Sequence, residues 1–233
     1  MVTILLGREE VNPNKPDDYS TTPLLFAVKR MHSEVVQILL ERKEVNPNTP
    51  GHDGLTPLLS AVSTGHLGVV EILLEREEVN PDEPSPSGHI PLLYAAELGH
   101  EGVVEILLGR QDVNPDKQDY VLRTPLCYAA RSGYEEVMKI LLGRQEVNPD
   151  MPDNEGQTPL FLAVQNGHEG AVKILLGRED VNPDKTNIWG QTPLSCADEY
   201  GNEGMVGVLL GQQDVSPNTP DNHGETPLTH PAW

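Results

Sequence analysis

The sequence predicts an all-α helical solenoid of stacked helix-turn-helix repeats with hairpin-like turns. Two markers in fixed phase carry that expectation. Thr-Pro-Leu starts at Thr22, Thr56, Thr124, Thr158, Thr192 and Thr226, with Ile90-Pro91-Leu92 in the gap, so every step is 34 residues. Val-Asn-Pro starts at Val11, Val45, Val79, Val113, Val147 and Val181, then Val215-Ser216-Pro217, at the same step. Self-similarity at a fixed period is the signature of a repeat architecture. A third observation is that each period holds two short apolar stripes at helical spacing.

The elements follow in order along one period. Thr22 and its equivalents suit the N-cap, where the hydroxyl accepts an orphan helix N–H. Pro23 suits the first helical position, where its missing N–H costs nothing. Leu24, Ala27 and Val28 make the first stripe, and the recurring Ala is small enough to let neighbouring helices approach. Gly65, Gly99, Gly133, Gly167 and Gly201 fit a left-handed residue that ends the first helix. The second helix carries the wider stripe Val35, Val36, Ile38, Leu39 and Leu40. Gly109, Gly143, Gly177 and Gly211 directly follow its Leu pair and are expected to stop it. The Asn-Pro beyond cannot continue a helix, because Pro restricts the residue before it.

The content of the period identifies the family. Asp153 to Leu176 reads D-N-E-G-Q-T-P-L-F-L-A-V-Q-N-G-H-E-G-A-V-K-I-L-L. That resembles the ankyrin pattern of a D-x-x-G-x-T-P-L turn and helix start, an Ala pair, a Gly-His turn and a V-V-x-x-L-L helix. The Trp, Tyr and Phe anchors of tetratricopeptide repeats, which also run 34 residues, are missing. The resemblance covers the whole chain. It departs from the family where the His after T-P-L is Leu25, Leu59, Leu93, Cys127, Phe161 and Ser195, and where the Val-Asn-Pro-Asp stretch carries one residue beyond the family's usual ~33. Both departures concern local packing and turn shape.

The array is expected to fill residues 1–233. It has a partial repeat at 1–21, full repeats at 22–55, 56–89, 90–123, 124–157, 158–191 and 192–225, and a truncated repeat at 226–233. One pair of short helices buries too little to fold alone, so stacking must supply the core. Met1 to Leu6 matches the end of a second helix, and Pro231 falls where the buried Ala of a seventh repeat belongs. Both ends cut through repeats, as expected of part of a larger protein or of a shortened gene product.

Composition narrows the function. The formal charge is −20 over 233 residues, which disfavours nucleic acid, whose phosphates need clustered Lys and Arg. It equally disfavours anionic membrane surfaces. No stretch approaches the roughly 18 apolar residues of a membrane span, and Met1–Leu6 is too short for a signal-peptide core. The two cysteines, Cys127 and Cys196, fall in apolar helix patterns. A reduced intracellular chain, cytoplasmic or nuclear, is the natural reading.

No phosphate-binding, nucleophile-elbow or zinc-protease motif appears, and most carboxylates sit in outer turns with no cleft to shift them. His32, His66, His100 and His168 share one repeat position. They stand too far apart to meet one metal and are expected to bond local backbone at the inter-helix turn. The chain is therefore read as a non-enzyme with no cofactor, no metal site and no small-molecule substrate.

A binding surface is more visible. In the ankyrin family, partners usually meet the hairpin tips and the exposed side of the first helix. Those columns cover 36 positions, under a sixth of the chain, yet hold seven of its ten aromatics. They are Tyr19, Phe26, Tyr94, Tyr120, Tyr128, Trp189 and Tyr200. Phe26, Tyr94 and Tyr128 lie in a column that can also fill the groove between helices. Tyr120, Trp189 and Tyr200 are expected to be exposed. The face carries Asp18, Asp53, Glu97, Glu155 and Glu199 against Lys29, Arg30, Arg123 and Arg131, a net of −1 from five acids and four bases.

The expected function is a non-catalytic protein-protein interaction scaffold. Its partner binds through Tyr19, Tyr94, Tyr120, Tyr128, Trp189, Tyr200, Arg123 and Arg131 on a concave face. The alternative is a regulatory or targeting array split from a larger multidomain enzyme or signalling protein.

Overall fold

The structure is a computed structural model that describes residues 11–227. The readings made for Met1–Leu6 and Pro231 lie outside these residues. Twelve α-helices, and no strand, occur among the described residues. They fall into two compact units, the first ending at Asn114 and the second starting at Pro115.

The first unit holds α1 (Pro23–Lys29), α2 (Ser33–Leu40), α3 (Pro57–Ser63), α4 (Leu67–Leu74), α5 (Pro91–Leu98) and α6 (Glu101–Leu108). The second holds α7 (Pro125–Ser132), α8 (Glu135–Leu142), α9 (Pro159–Gln165), α10 (Glu169–Leu176), α11 (Pro193–Glu199) and α12 (Glu203–Leu210). Within each unit, consecutive first helices pack on each other and consecutive second helices do the same. Each unit is thus a stack of three helix pairs.

The first helices start as their sequences dictate. Thr22, Thr56, Thr124, Thr158 and Thr192 each accept the N–H three residues on, and Pro fills the first turn. Ile90 caps α5 without a side-chain bond and is buried instead. Leu24, Ala27 and Val28 and their equivalents form the core of each unit; Leu59, Ala61, Val62, Leu92, Leu93, Ala129 and Leu160 are fully buried.

The inter-helix residue is left-handed in every pair. Gly65, Gly99, Gly133, Gly167 and Gly201 have φ between 63° and 76°, and Met31 takes φ 58° in the first pair. Gly133 is required for space as well. A Cβ there would lie 2.6 Å from Nδ1 of His168 in the next repeat.

That stacking revises the reading of the histidines. His66 does bond locally, its Nδ1 accepting Val69 N–H at 3.3 Å. His168 instead reaches back across the repeat boundary, with Nε2 3.0 Å from the carbonyl oxygen of Arg131. The carbonyl can only accept, so Nε2 carries the proton. The glycine that frees the ring's path belongs to a different repeat, which is why the contact is not local.

A second correction concerns Gly109, Gly143, Gly177 and Gly211. Their φ values lie between −66° and −74°, right-handed like those of Glu41 at −63° and Glu75 at −68° in the same position. These glycines do not stop the second helix. A tighter last turn does, with Arg42 N–H on Leu39 O and Arg110 N–H on Leu107 O, both at 3.1 Å. The chain then turns into Val-Asn-Pro.

The outer turns staple repeat to repeat. Arg76, Arg110 and Arg178 each donate Nη1 to the carbonyl oxygen ending the preceding second helix, Leu40, Leu74 and Leu142, at 2.8–3.0 Å. Each guanidinium is held by the acid two residues on. Arg110 reaches both oxygens of Asp112 at 2.8 Å, and Arg178 does the same with Asp180. These guanidinium bonds hold the Asp112 and Asp180 carboxyls below the usual range. One turn later, Asn14 Oδ1, Asp116 Oδ2 and Asp150 Oδ2 accept the N–H of Asn46, Asn148 and Asn182 at 2.8 Å. Much of the outer acidity therefore has a structural use beyond solubility.

Candidate functional site

The hairpin tips are built by one residue each. Asp119 Oδ1 accepts the N–H of Val121 and Arg123, Asp153 Oδ1 those of Glu155 and Gln157, and Asn187 Oδ1 those of Trp189 and Gln191, all at 2.9–3.0 Å. Such side-chain-to-backbone bonds mimic a turn. They hold the intervening residues outward, so tip side chains are presented by a rigid frame.

In the second unit the tips are also joined side to side. Asn154 N–H donates to Val121 O at 3.0 Å, Ile188 N–H to Glu155 O at 2.9 Å and Asn222 N–H to Trp189 O at 3.1 Å. The tips at 119–123, 153–157 and 187–191 therefore form one row in fixed order.

The aromatic columns divide by burial. Tyr19, Tyr120 and Tyr200 are 75%, 74% and 63% exposed, and Trp189 and Phe26 are about half exposed. Tyr94 is half-buried and stacks obliquely with His89 at 5.2 Å between centroids. Arg30 lies over the Phe26 ring at 5.3 Å. Tyr128 is only 4% exposed, and its phenol donates to Asp119 Oδ2 at 2.6 Å. Its ring fills the groove between helices and braces the tip, so it is not available as a surface contact.

The two arginines also divide. Arg123 Nε donates to Asp153 Oδ2 at 3.1 Å, and the Asp153 side chain is wholly buried. Arg123 thus neutralises a buried carboxylate of the neighbouring tip. Arg131, in the last turn of α7, stays exposed.

Aliphatic residues of the tips point outward as well. Val121, Leu122 and Ile188 are exposed apolar side chains. Leu122 has φ 60°, where the tips at Gly54, Gly88, Gly156, Gly190 and Gly224 have glycine. The sequence carried the signal, a Leu at the 34-residue step in a column otherwise filled by five Gly and Ser20, which is left-handed too at φ 59°.

Among the described residues, no group of three or more His, Cys, Asp or Glu side chains is arranged to hold a metal ion. Burial pushes the Cys127 thiol up to about 11 and the Cys196 thiol up to about 12, far from the depressed values of reactive cysteines. No described helix is long and apolar enough to cross a membrane.

The family model for ankyrin repeats in three copies matches residues 1–85, 43–119 and 92–187, and the single ankyrin repeat model matches 189–222. The chain belongs to the ankyrin repeat family. Among solved structures, the human ASB11 ankyrin repeat domain is similar at a TM-score of 0.75 and 25% identity, over 89% of this chain and 90% of that one. A search of curated proteins finds no match. Ankyrin repeats are generally protein-interaction modules and typically non-catalytic.

Proposed function

We propose that this ankyrin array is a non-catalytic scaffold that binds a protein partner through its hairpin tips and the exposed side of its first helices. One observation carries the reading. In a chain with ten aromatics, Tyr19, Tyr120, Trp189 and Tyr200 stand exposed in the tip and first-helix columns. Large rigid aromatics are the residues most able to anchor an interface, because they contribute area at little conformational cost. Tip side chains held by Asp119, Asp153 and Asn187 lose still less freedom on binding. The partner is a protein in a compartment that keeps Cys127 and Cys196 reduced. Neither nucleic acid nor an anionic membrane suits a chain of net charge −20. Neither cofactor nor small-molecule substrate enters the reading.

A photo-crosslinking residue placed at Tyr120 or Trp189, and separately at Glu71 or Glu105 on the second helices, tests this in cells. Protein crosslinks from the first pair and none from the second are expected. The reverse pattern would make the outer helices the interface and overturn the proposal.

A further inference from the structure

The tip row of the second unit combines three features. The first is a run of exposed apolar side chains at one end, Tyr120, Val121 and Leu122, with Ile188 and Trp189 two tips along. The second is an acid between them. Glu155 sits on the middle tip, its backbone carbonyl bonded to Ile188 N–H, and its carboxylate has no cation among the described residues. The nearest tip cation, Arg123, is taken by Asp153. The third is strain. Leu122 is held left-handed, a conformation that costs a non-glycine residue on the order of 1–2 kcal/mol, although glycine occupies the equivalent site in other repeats. An exposed apolar side chain kept at such a cost points to a use for that side chain.

We infer that this row binds an extended peptide segment of a partner, with a lysine or arginine held over Glu155 between two apolar residues. One apolar residue contacts Tyr120 and Leu122, and the other contacts Ile188 and Trp189. The inference deepens the scaffold reading and rests on it. The spacing sets the register. Packed neighbours stand roughly 8–10 Å apart, so the first and third tips are separated by about 16–20 Å. An extended chain rises about 3.3 Å per residue and points alternate side chains to the same face, so the two apolar residues lie six positions apart on the face toward the row, with the cation two or four positions along on that face. A carboxylate with no cation of its own and apolar side chains on both neighbouring tips suits a cation on a long apolar stem, whose methylenes cover apolar surface while its charge meets the acid. An acidic residue at the cation's position would be repelled by Glu155.

The test is selection of a displayed library of random twelve-residue peptides on the full chain. Affinities of selected synthetic peptides are then measured by fluorescence anisotropy. The expected sequences carry two apolar residues six positions apart, with Lys or Arg two or four positions after the first. Glu155→Lys and Trp189→Ala should each weaken their binding at least about tenfold, Glu155→Gln less. Leu122→Gly should raise Tm while weakening binding, a split that a purely structural role would not give.

Peptides lacking a basic residue, or binding Glu155→Lys as tightly as the parent, overturn the inference. If selected peptides ignore Glu155, Tyr120 and Trp189 but are weakened by Tyr19→Ala or Phe26→Ala, the tip row is wrong and the scaffold reading stands. A library that yields no peptide overturns the tip-row site. The scaffold reading falls with it only if the tip crosslinks are also absent.

Discussion

Asp150 accepts the N–H of Asn182 through Oδ2 at 2.8 Å, while its Oδ1 is buried and meets no donor among the described residues. Burial, and more weakly the charge of Asp180, raise this carboxyl above its ordinary value; the bond from Asn182 and the charge of Lys185 oppose them. Two earlier repeats meet the same position with asparagine. Asn14 and Asn48 donate their amides to the carbonyl oxygens of Glu44 and Glu78 at 2.5 and 2.6 Å.

Asp150→Asn is therefore expected to stabilise the chain at neutral pH by about 1 kcal/mol, since it supplies a donor and removes a buried unsatisfied acceptor. The sign with pH follows from linkage. The folded state holds the Asp150 proton more tightly than the unfolded chain does. The stability it contributes is present at acid pH and is lost as pH rises through the raised folded value. Urea unfolding of both proteins at neutral and mildly acid pH should show the gap narrowing on acidification. A gap that is constant or widens would contradict the assignment.

Removing the repeat staple should cost more than removing its counter-ion. Arg178→Ala breaks the bond to Leu142 O and leaves that part-buried carbonyl short of a donor, at about 1.5 kcal/mol. Asp180→Asn leaves the carbonyl bond in place and removes only an exposed partner, which is worth at most about 1 kcal/mol. Equal losses in denaturant midpoints would show that the ion pair, not the carbonyl bond, does the stapling.

Two glycines should respond oppositely to alanine. A Cβ at Gly207, inside α12, meets nothing within 4 Å, so Gly207→Ala should stabilise by about 1 kcal/mol through helix propensity. A Cβ at Gly156 would lie 3.0–3.1 Å from the backbone of Asn187 and Ile188, at φ +76°. Gly156→Ala should destabilise by about 2 kcal/mol or more. Thermal melts of the two variants decide the matter, and a shift of the same sign in both would refute it.

Hydrogen exchange should be fastest, among the helices, in α11 and α12. Asp198 stands in the first-helix stripe, and α12 buries only Met205 and Leu209, whereas α8 buries Val137, Met138, Leu141 and Leu142. In a nearly one-dimensional array, local weakness shows as local opening. Equal protection of α8 and α12 would rule this out.

Taken alone, the sequence was enough to decide the fold class and the start of each first helix. Thr-Pro-Leu encodes a cap and a first turn within three residues, and local chemistry of that kind survives any packing. The left-handed Gly between helices was legible for the same reason. What packing decided could not be read along the chain. Gly109 and its equivalents looked like helix stops, but Glu41 and Glu75 adopt the same backbone. His168, Arg76 and Asp150 bond to residues 32–37 positions away, so their partners exist only once repeats stack. Tyr120 and Tyr128 lie eight residues apart, either side of a repeat boundary, and look alike in sequence. Only the tertiary structure buries Tyr128, on a helix packed against its neighbours, with its phenol on Asp119, and leaves Tyr120 exposed on the tip.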